Sequence, residues 1–316
     1  MNKCLYICFF YVLRIFAQSN GVDLLIYSMN RPMQLYALLE SIEFYVSGYN
    51  EIHVLYRVTD KNYQAAYDVV KNRFQHVLFT MQGDHPELDF KPLMLQCAFQ
   101  SSARYISFIV DDIIVTNYVD LNVCADALNR QTNAYAFFLR LGLNITESYT
   151  RKIKFLPPGK LLENNIYYWK FSEGGFNRGY GNLGDWNWAT TNDFAIYRKA
   201  DLKPVLEKLV FVNTGYEGLW WNKFRKDSAN LDKIGLCFEN SKVVNICVNL
   251  VQWDGPNWNQ FSKQWREKKL SQYTPEKLLQ KFNEGFRIDI HELRGIRNSA
   301  PHMEYDFKFI KVIDGA

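Results

Sequence analysis

The stretch Tyr105–Thr116, YISFIVDDIIVT, decides the fold. A mostly apolar run, Tyr105-Ile-Ser-Phe-Ile-Val110, stops at two adjacent acids, Asp111 and Asp112, before apolar residues resume. Short runs of this kind read as strands buried on both faces, as the strands of parallel sheets are. Acids at the carboxyl end of such a strand lie in the crevice where open α/β sheets bind ligands. Side by side the two carboxylates repel, so the pair calls for a cation or hydrogen bonds. Their hard oxygens suit Mg²⁺ or Mn²⁺, ions that keep some water and recruit substrate phosphates. The bland alternative is a solvated turn after a strand.

Upstream, Asp23–Ser28 (DLLIYS) is another apolar run, closing on Met29-Asn30-Arg31-Pro32. Pro32 is suited to the first position of a helix running to about Val46, where its missing N–H costs nothing. A strand over Glu51–Val58, a helix from Asp60 to about Phe74 and a strand over His76–Met81 follow. Helical periodicity over Phe90–Ala103 leads into the run quoted first. This βαβαβ alternation predicts a parallel sheet, since crossover helices join parallel strands.

Downstream the pattern predicts a helix over Asp120–Arg130 and a strand over Ala134–Leu141. From Asn164 to Asn192 periodicity gives way to Gly, Asn and aromatic residues. Strands over Asp193–Tyr197 and Val243–Leu250 are expected, with helices over Leu202–Leu209, Gly218–Arg225 and Pro275–Asn283.

The chain has 316 residues, 48% hydrophobic and 22% charged, enough apolar content for a sizeable core and too much for disorder. With no repeat or clear linker, residues 20–316 read as one domain, its nucleotide-binding half about 20–118 and its acceptor-binding half about 119–316. The net charge of +4 comes from Lys and Arg scattered among acids, so no nucleic-acid footprint is expected. Residues 1–19 hold an apolar run and then Ala17-Gln18-Ser19, the pattern of a secretory leader. Export follows if that leader is cleaved and a cytoplasmic location if it is not, and the apolar terminus leaves peripheral membrane association open. Cys97, Cys124, Cys237 and Cys247 sit in apolar contexts without metal-finger spacing, and free buried thiols are expected.

The run YISFIVDDIIVT, following the helix with Phe90-Lys91-Pro92, resembles the DxD region of GT-A glycosyltransferases, and DLLIYSMNRP resembles their first nucleotide-binding strand. The resemblance implies a three-layer α/β/α sandwich with a mainly parallel central sheet. It further implies a nucleotide-sugar donor, one Mn²⁺ or Mg²⁺, and transfer to a carbohydrate or other hydroxyl acceptor. A strict DxD would need an acid at Val110 or Ile113, which this chain lacks. By the resemblance Asp112 is the direct metal ligand and Asp111 lies near the ribose or a metal water. Ser28, Asn30, Arg31, Arg57 and Asp60 fall where base and ribose are received, and Lys91 reaches base or diphosphate. Asp60 reads equally well as a helix N-cap, and Lys91 as an ordinary first-turn residue.

A C-terminal histidine often closes the metal shell in these enzymes, and His302 suits that better than His291 because a strand-like run follows it. Glu217, in NTGYEGLWW, resembles the acid that serves as base in inverting members, with Asp185 and Asp193 as competitors. An acid at a helix start is also favoured by the dipole alone. The aromatic residues Tyr167, Tyr168, Trp169, Tyr180, Trp186 and Trp188 are expected to stack on acceptor sugars. Two other readings stand beside this one: a carbohydrate-binding or inactive transferase-like protein, and a nucleotidyltransferase. The latter would favour a Gly-rich phosphate loop where the chain has SMNRPMQLY.

Overall fold

In the computed structural model, residues 21–83, 85–173, 175–177, 180–249, 251 and 272–312 are described. The leader over 1–19 lies outside them. The first half of the chain alternates as expected: β1 (Val22–Met29), α1 (Pro32–Tyr45), β2 (Tyr49–Arg57), α2 (Lys61–Arg73), β3 (Leu78–Met81), α3 (Pro86–Phe99) and β4 (Tyr105–Val110). α3 begins four residues earlier than its periodicity predicts, because Pro86 takes the first helical position and Glu87 and Asp89 favour the first turn.

Next come β5 (Ile113–Val115), α4 (Leu121–Arg130), β6 (Ala134–Phe138), β7 (Lys160–Glu163), β8 (Ile166–Lys170) and β9 (Asp193–Arg198). α5 (Lys199–Lys208), α6 (Tyr216–Phe224), β10 (Ile234–Phe238), β11 (Val243–Ile246), α7 (Pro275–Asn283) and β12 (His302–Met303) follow. Nine strands form the central sheet in the order β7-β8-β10-β6-β9-β4-β1-β2-β3. β9 is antiparallel to β4 and β6, and β8 to β7 and β10, while the other neighbouring pairs are parallel. The sheet is therefore mainly parallel, with seven of its nine strands running one way.

Alternate residues of β1 face opposite layers: Val22, Leu24 and Ile26 pack in a core with α1, α2, α4 and α7, and Leu25 and Tyr27 in one with α3, α5 and α6. Helices on both faces make the three-layer α/β/α sandwich. From β1 the chain builds through β2 to β3 on one side, and β4 lies on the other. The carboxyl ends of β1 and β4 therefore flank the point where the strand order reverses, which is where ligands bind such sheets.

The region expected to be irregular contains β8, an edge-side strand paired to β10, and neither strand is evident in the periodicity. Its two large aromatics belong to the core. Trp169 and Trp186 are fully buried, meet edge to face at 4.7 Å, and donate their indole N–H groups to the carbonyls of Trp186 and Ile145. Neither is open to an acceptor, which corrects the expectation for both. Tyr167 and Tyr168 are half-buried on β8, and the Tyr180 side chain falls outside the described set. Among the described residues no helix is long and apolar enough to cross a membrane. Cys97, Cys124 and Cys237 are free and buried as expected, whereas Cys247 is only partly buried.

Candidate active site

β1 ends in a tight exit. Asn30 takes a left-handed conformation (φ 53°), which Asn tolerates better than most residues. Its side chain clasps Thr59 beyond β2, donating to the hydroxyl at 2.8 Å and accepting from the amide at 3.0 Å. Arg31 then stands at the N-cap of α1 without capping it. Its guanidinium instead donates to Asp111 at 2.8 Å, to Asp112 at 3.0 Å and to the Asn249 carbonyl at 2.6 Å. Ser28 donates to the second oxygen of Asp111 at 2.7 Å and shares a hydrogen bond with Tyr67. Ser28, Arg31, Asp111 and Asp112 are thus one buried cluster at the switch point.

A second, small sheet brings the far end of the chain to this cluster. β11 pairs with β5 so that Asn245 lies opposite Ile113, and with β12 so that Asn245 lies opposite His302. Asn245 donates to Asp112 at 3.0 Å and approaches Asp193 at 3.4 Å. His302 Nε2 stands 3.2 Å from Asp193, while its Nδ1 is buried without a protein partner. Asp193 sits at a register shift in β9, followed by Phe194 at φ 59°, a left-handed conformation unusual for a bulky residue. Bulges beside active sites re-aim side chains in this way.

Arg140, only 2% exposed, continues the network. It lies 3.0 Å from Asp185 and 3.6 Å from Asp193, and donates to the carbonyls of Asp185 and Trp188. Glu217, in the first turn of α6, accepts from the Trp188 indole at 2.5 Å and from the Asn192 amide at 3.3 Å. Its carboxylate is therefore held by groups outside its own helix, which a dipole effect alone would not require.

Charge sorts these acids into different states. Burial raises the Glu217 carboxyl to about 7, helped by the negative charge of Asp193 and opposed by Arg140. Burial also raises Asp112 to about 6, with Arg31 pulling the other way. Burial would raise Asp193 too, but His302 and Arg140 hold it well below the usual carboxylate range. His302 is lowered by burial and lifted by Asp193, reaching about 9.

Five acids (Asp111, Asp112, Asp185, Asp193 and Glu217) thus meet three basic groups, Arg31, Arg140 and His302; with every acid ionised and His302 protonated the formal charge is −2, and it falls toward −1 as Glu217, raised to about 7, takes up a proton. That negative charge fits a divalent cation. His302 fits it in its neutral form: once the Nδ1 proton is lost, Nε2–H donates to Asp193, as the second ring nitrogen of a metal-binding His commonly does toward a carboxylate, and Nδ1 can ligate. Among the described residues no three His, Cys, Asp or Glu side chains form a ready cage. Asp112 and His302 would hold the ion, with water and donor oxygens as the remaining ligands.

Besides Asn30, whose side chain is taken up by Thr59, three predicted residues lie apart from the cluster. Asp60 caps α2, accepting from the amides of Asn62 at 2.7 Å and Tyr63 at 3.2 Å. Lys91 donates to the carbonyls of Glu207 and Leu209, at the carboxyl end of α5. Arg57 touches the β1 exit only through its carbonyl, which accepts from the Asn30 amide at 3.2 Å. His291 bonds Tyr45 at 3.2 Å instead of joining the acids.

Arg140 and Asn245 were not foreseen. A lone Arg closing the apolar run Ala134–Leu139, and a lone Asn inside Val243–Ile246, were the available signals. Replacing Arg140 by Met is expected to cost about 3–5 kcal/mol, the usual penalty for leaving buried charges unpaired. Chemical denaturation checks this, and a cost below ~1 kcal/mol would show that Asp185 and Asp193 do not depend on it.

No family model matches the chain. A curated relative, the bifunctional glycosyltransferase pgtA of Dictyostelium discoideum, is 24% identical over 207 residues, covering 61% of this chain and 26% of that protein. The chain therefore spans about a quarter of the relative's length. The relative is a glycosyltransferase, the class that the YISFIVDDIIVT resemblance implies. Similar solved structures include S. aureus TarS 1–349 in complex with UDP (12% identity, 71% of this chain and 59% of that one, TM-score 0.42). Another is 4-diphosphocytidyl-2C-methyl-D-erythritol synthase from Anaerococcus prevotii (12% identity, 78% and 96% covered, TM-score 0.38).

Proposed function

We propose that the protein is a metal-dependent glycosyltransferase that moves a sugar from a nucleotide-sugar donor to an acceptor hydroxyl. The observation carrying this reading is the buried cluster of acids at the switch point, in which burial raises the Asp112 and Glu217 carboxyls because their negative charge is not fully compensated by the cations present. The similarity to a curated glycosyltransferase supports it. A divalent ion supplies Lewis-acid stabilisation of the departing diphosphate.

The chain's own residues have distinct tasks. Arg31 donates to both acids and holds them in place, and Ser28 fixes the second oxygen of Asp111. Asp112 and His302 hold the ion, His302 being oriented by Asp193. Glu217, poised near neutral pH, takes the proton of the acceptor hydroxyl as the new glycosidic bond forms. Trp188 orients that carboxylate by its indole N–H.

A thermal-shift panel of nucleoside diphosphates with and without Mn²⁺ tests the reading. Stabilisation by one diphosphate only when Mn²⁺ is present is the expected result. Indifference to every nucleotide would favour a carbohydrate-binding protein. Turnover of a nucleoside triphosphate with a sugar phosphate would favour a nucleotidyltransferase.

A further inference from the structure

At the opposite end of β11 from the acid cluster lies a cavity of about 560 Å³, lined by Asn117, Asn144, Asn240, Ser241, Lys242 and Arg297 among others. We infer that it is a second binding site, for a saccharide bearing a carboxylate or phosphate. Its lining contains two cations and no acid. The Lys242 ammonium is half-buried, and burial lowers its pKa with no carboxylate to offset the loss of water. It stands over the Phe238 ring, 5.1 Å from the centroid. A half-buried cation of this kind, in a cavity whose lining also carries the exposed Arg297, favours an oxyanion.

The floor of the cavity is built. Asn144 Nδ2 donates to Ser241 Oγ at 3.0 Å and to the Asn298 carbonyl at 2.7 Å, and Asn144 Oδ1 accepts from the Ser241 amide at 2.9 Å. Ser241 Oγ passes its own hydrogen to Asn298 Oδ1 at 3.1 Å. This network fixes the loops that carry Asn240 and Arg297, and it also engages the nitrogen of the Asn144-Ile145-Thr146 sequon, where a glycan would have to attach. The volume exceeds what a lone phosphate needs and lies in the range of small-molecule pockets, roughly 300–1,000 Å³. Amide side chains beside the cations suit sugar hydroxyls. Lys242 immediately precedes β11 and is three residues from Asn245 along nearly extended chain, roughly 10 Å, so this site is separate from the acid cluster.

Calorimetric titration of the whole protein with glucuronate, glucose 6-phosphate, glucose and inorganic phosphate tests the assignment. Saturable binding of the two acidic sugars, with none of glucose, is expected. Lys242→Met and Arg297→Met should each weaken that binding at least tenfold without changing the unliganded melting temperature, and Lys242→Arg should restore most of it. Unchanged affinity in both Met variants, an equal response to glucose, or inorganic phosphate binding as tightly as glucose 6-phosphate would overturn it. The same titration on Asp112→Asn separates this site from the proposed transfer site. Binding that survives there belongs to the cavity, and binding that vanishes refutes the inference while leaving the transferase reading standing.

Discussion

Glu217→Gln is expected to lower turnover by ~100- to 10,000-fold, the range that general-base catalysis contributes, while donor binding survives. The amide keeps the shape and its oxygen can still accept from the Trp188 indole, at the loss of the longer bond from the Asn192 amide, but it cannot take a proton from the acceptor at neutral pH. Two pH measurements sharpen the test. The base acts only when ionised, so wild-type kcat should fall as pH drops through about 7, the value to which burial and the charge of Asp193 lift this carboxyl. The Gln variant should lose that limb. Stability moves the other way. A carboxyl raised in the folded state stabilises fully below its unfolded value and loses that contribution as pH rises from about 4.5 through about 7. Glu217→Gln should therefore melt no lower than wild type at pH 8. Near-normal transfer by this variant would exclude Glu217, leaving Asp185, Asp193 or a retaining reaction.

The first half of the fold was legible because local and global signals agree there. Apolar runs close on polar turns, Pro32 opens α1, and β4 has the bounds that Tyr105–Val110 predicts. β8 and β10 were hidden for a physical reason. Ile166–Lys170 is rich in aromatics, and its alternation is blurred by two half-buried tyrosines and a Trp that packs in the core. In the site, residue identity was more legible than partnership. Asp111 and Asp112 stand out from local context, and Asp193, Glu217 and His302 from the resemblance to GT-A glycosyltransferases, but what ties them together is long-range. Register in the small sheet places Asn245 between Asp112 and His302, and Arg140 reaches across to Asp185 and Asp193. No local pattern reports either. The reverse held for Asp60, whose position before a helix sufficed to suggest the cap it forms.

Asp112→Asn is expected to abolish Mn²⁺-dependent nucleotide binding while leaving the fold nearly intact. Of the two adjacent acids, Asp111 is the more deeply held, paired to Ser28 and Arg31 on separate oxygens. Asp112 is lifted to about 6 by burial in spite of Arg31, so its negative charge is the one left undercompensated and available to a cation. Asparagine in its place can still accept from Arg31 or Asn245, so packing is kept and charge is lost. A ligand at 100 times its Kd stabilises by about 2.7 kcal/mol, which for a domain of this size moves the melting temperature by roughly 5–10 °C. Wild type should show that shift with the preferred nucleoside diphosphate and Mn²⁺, and Asp112→Asn should show almost none. Asp111→Asn should be milder for binding, because its amide oxygen can still accept from Arg31 while Asp112 keeps its charge for the ion. His302→Gln is a further control, removing the Nδ1 ligand while leaving a side chain that can donate to Asp193. A full Mn²⁺-dependent shift in Asp112→Asn would sink the assignment of this carboxylate as the metal's protein ligand, and a full shift in His302→Gln would remove the histidine alone.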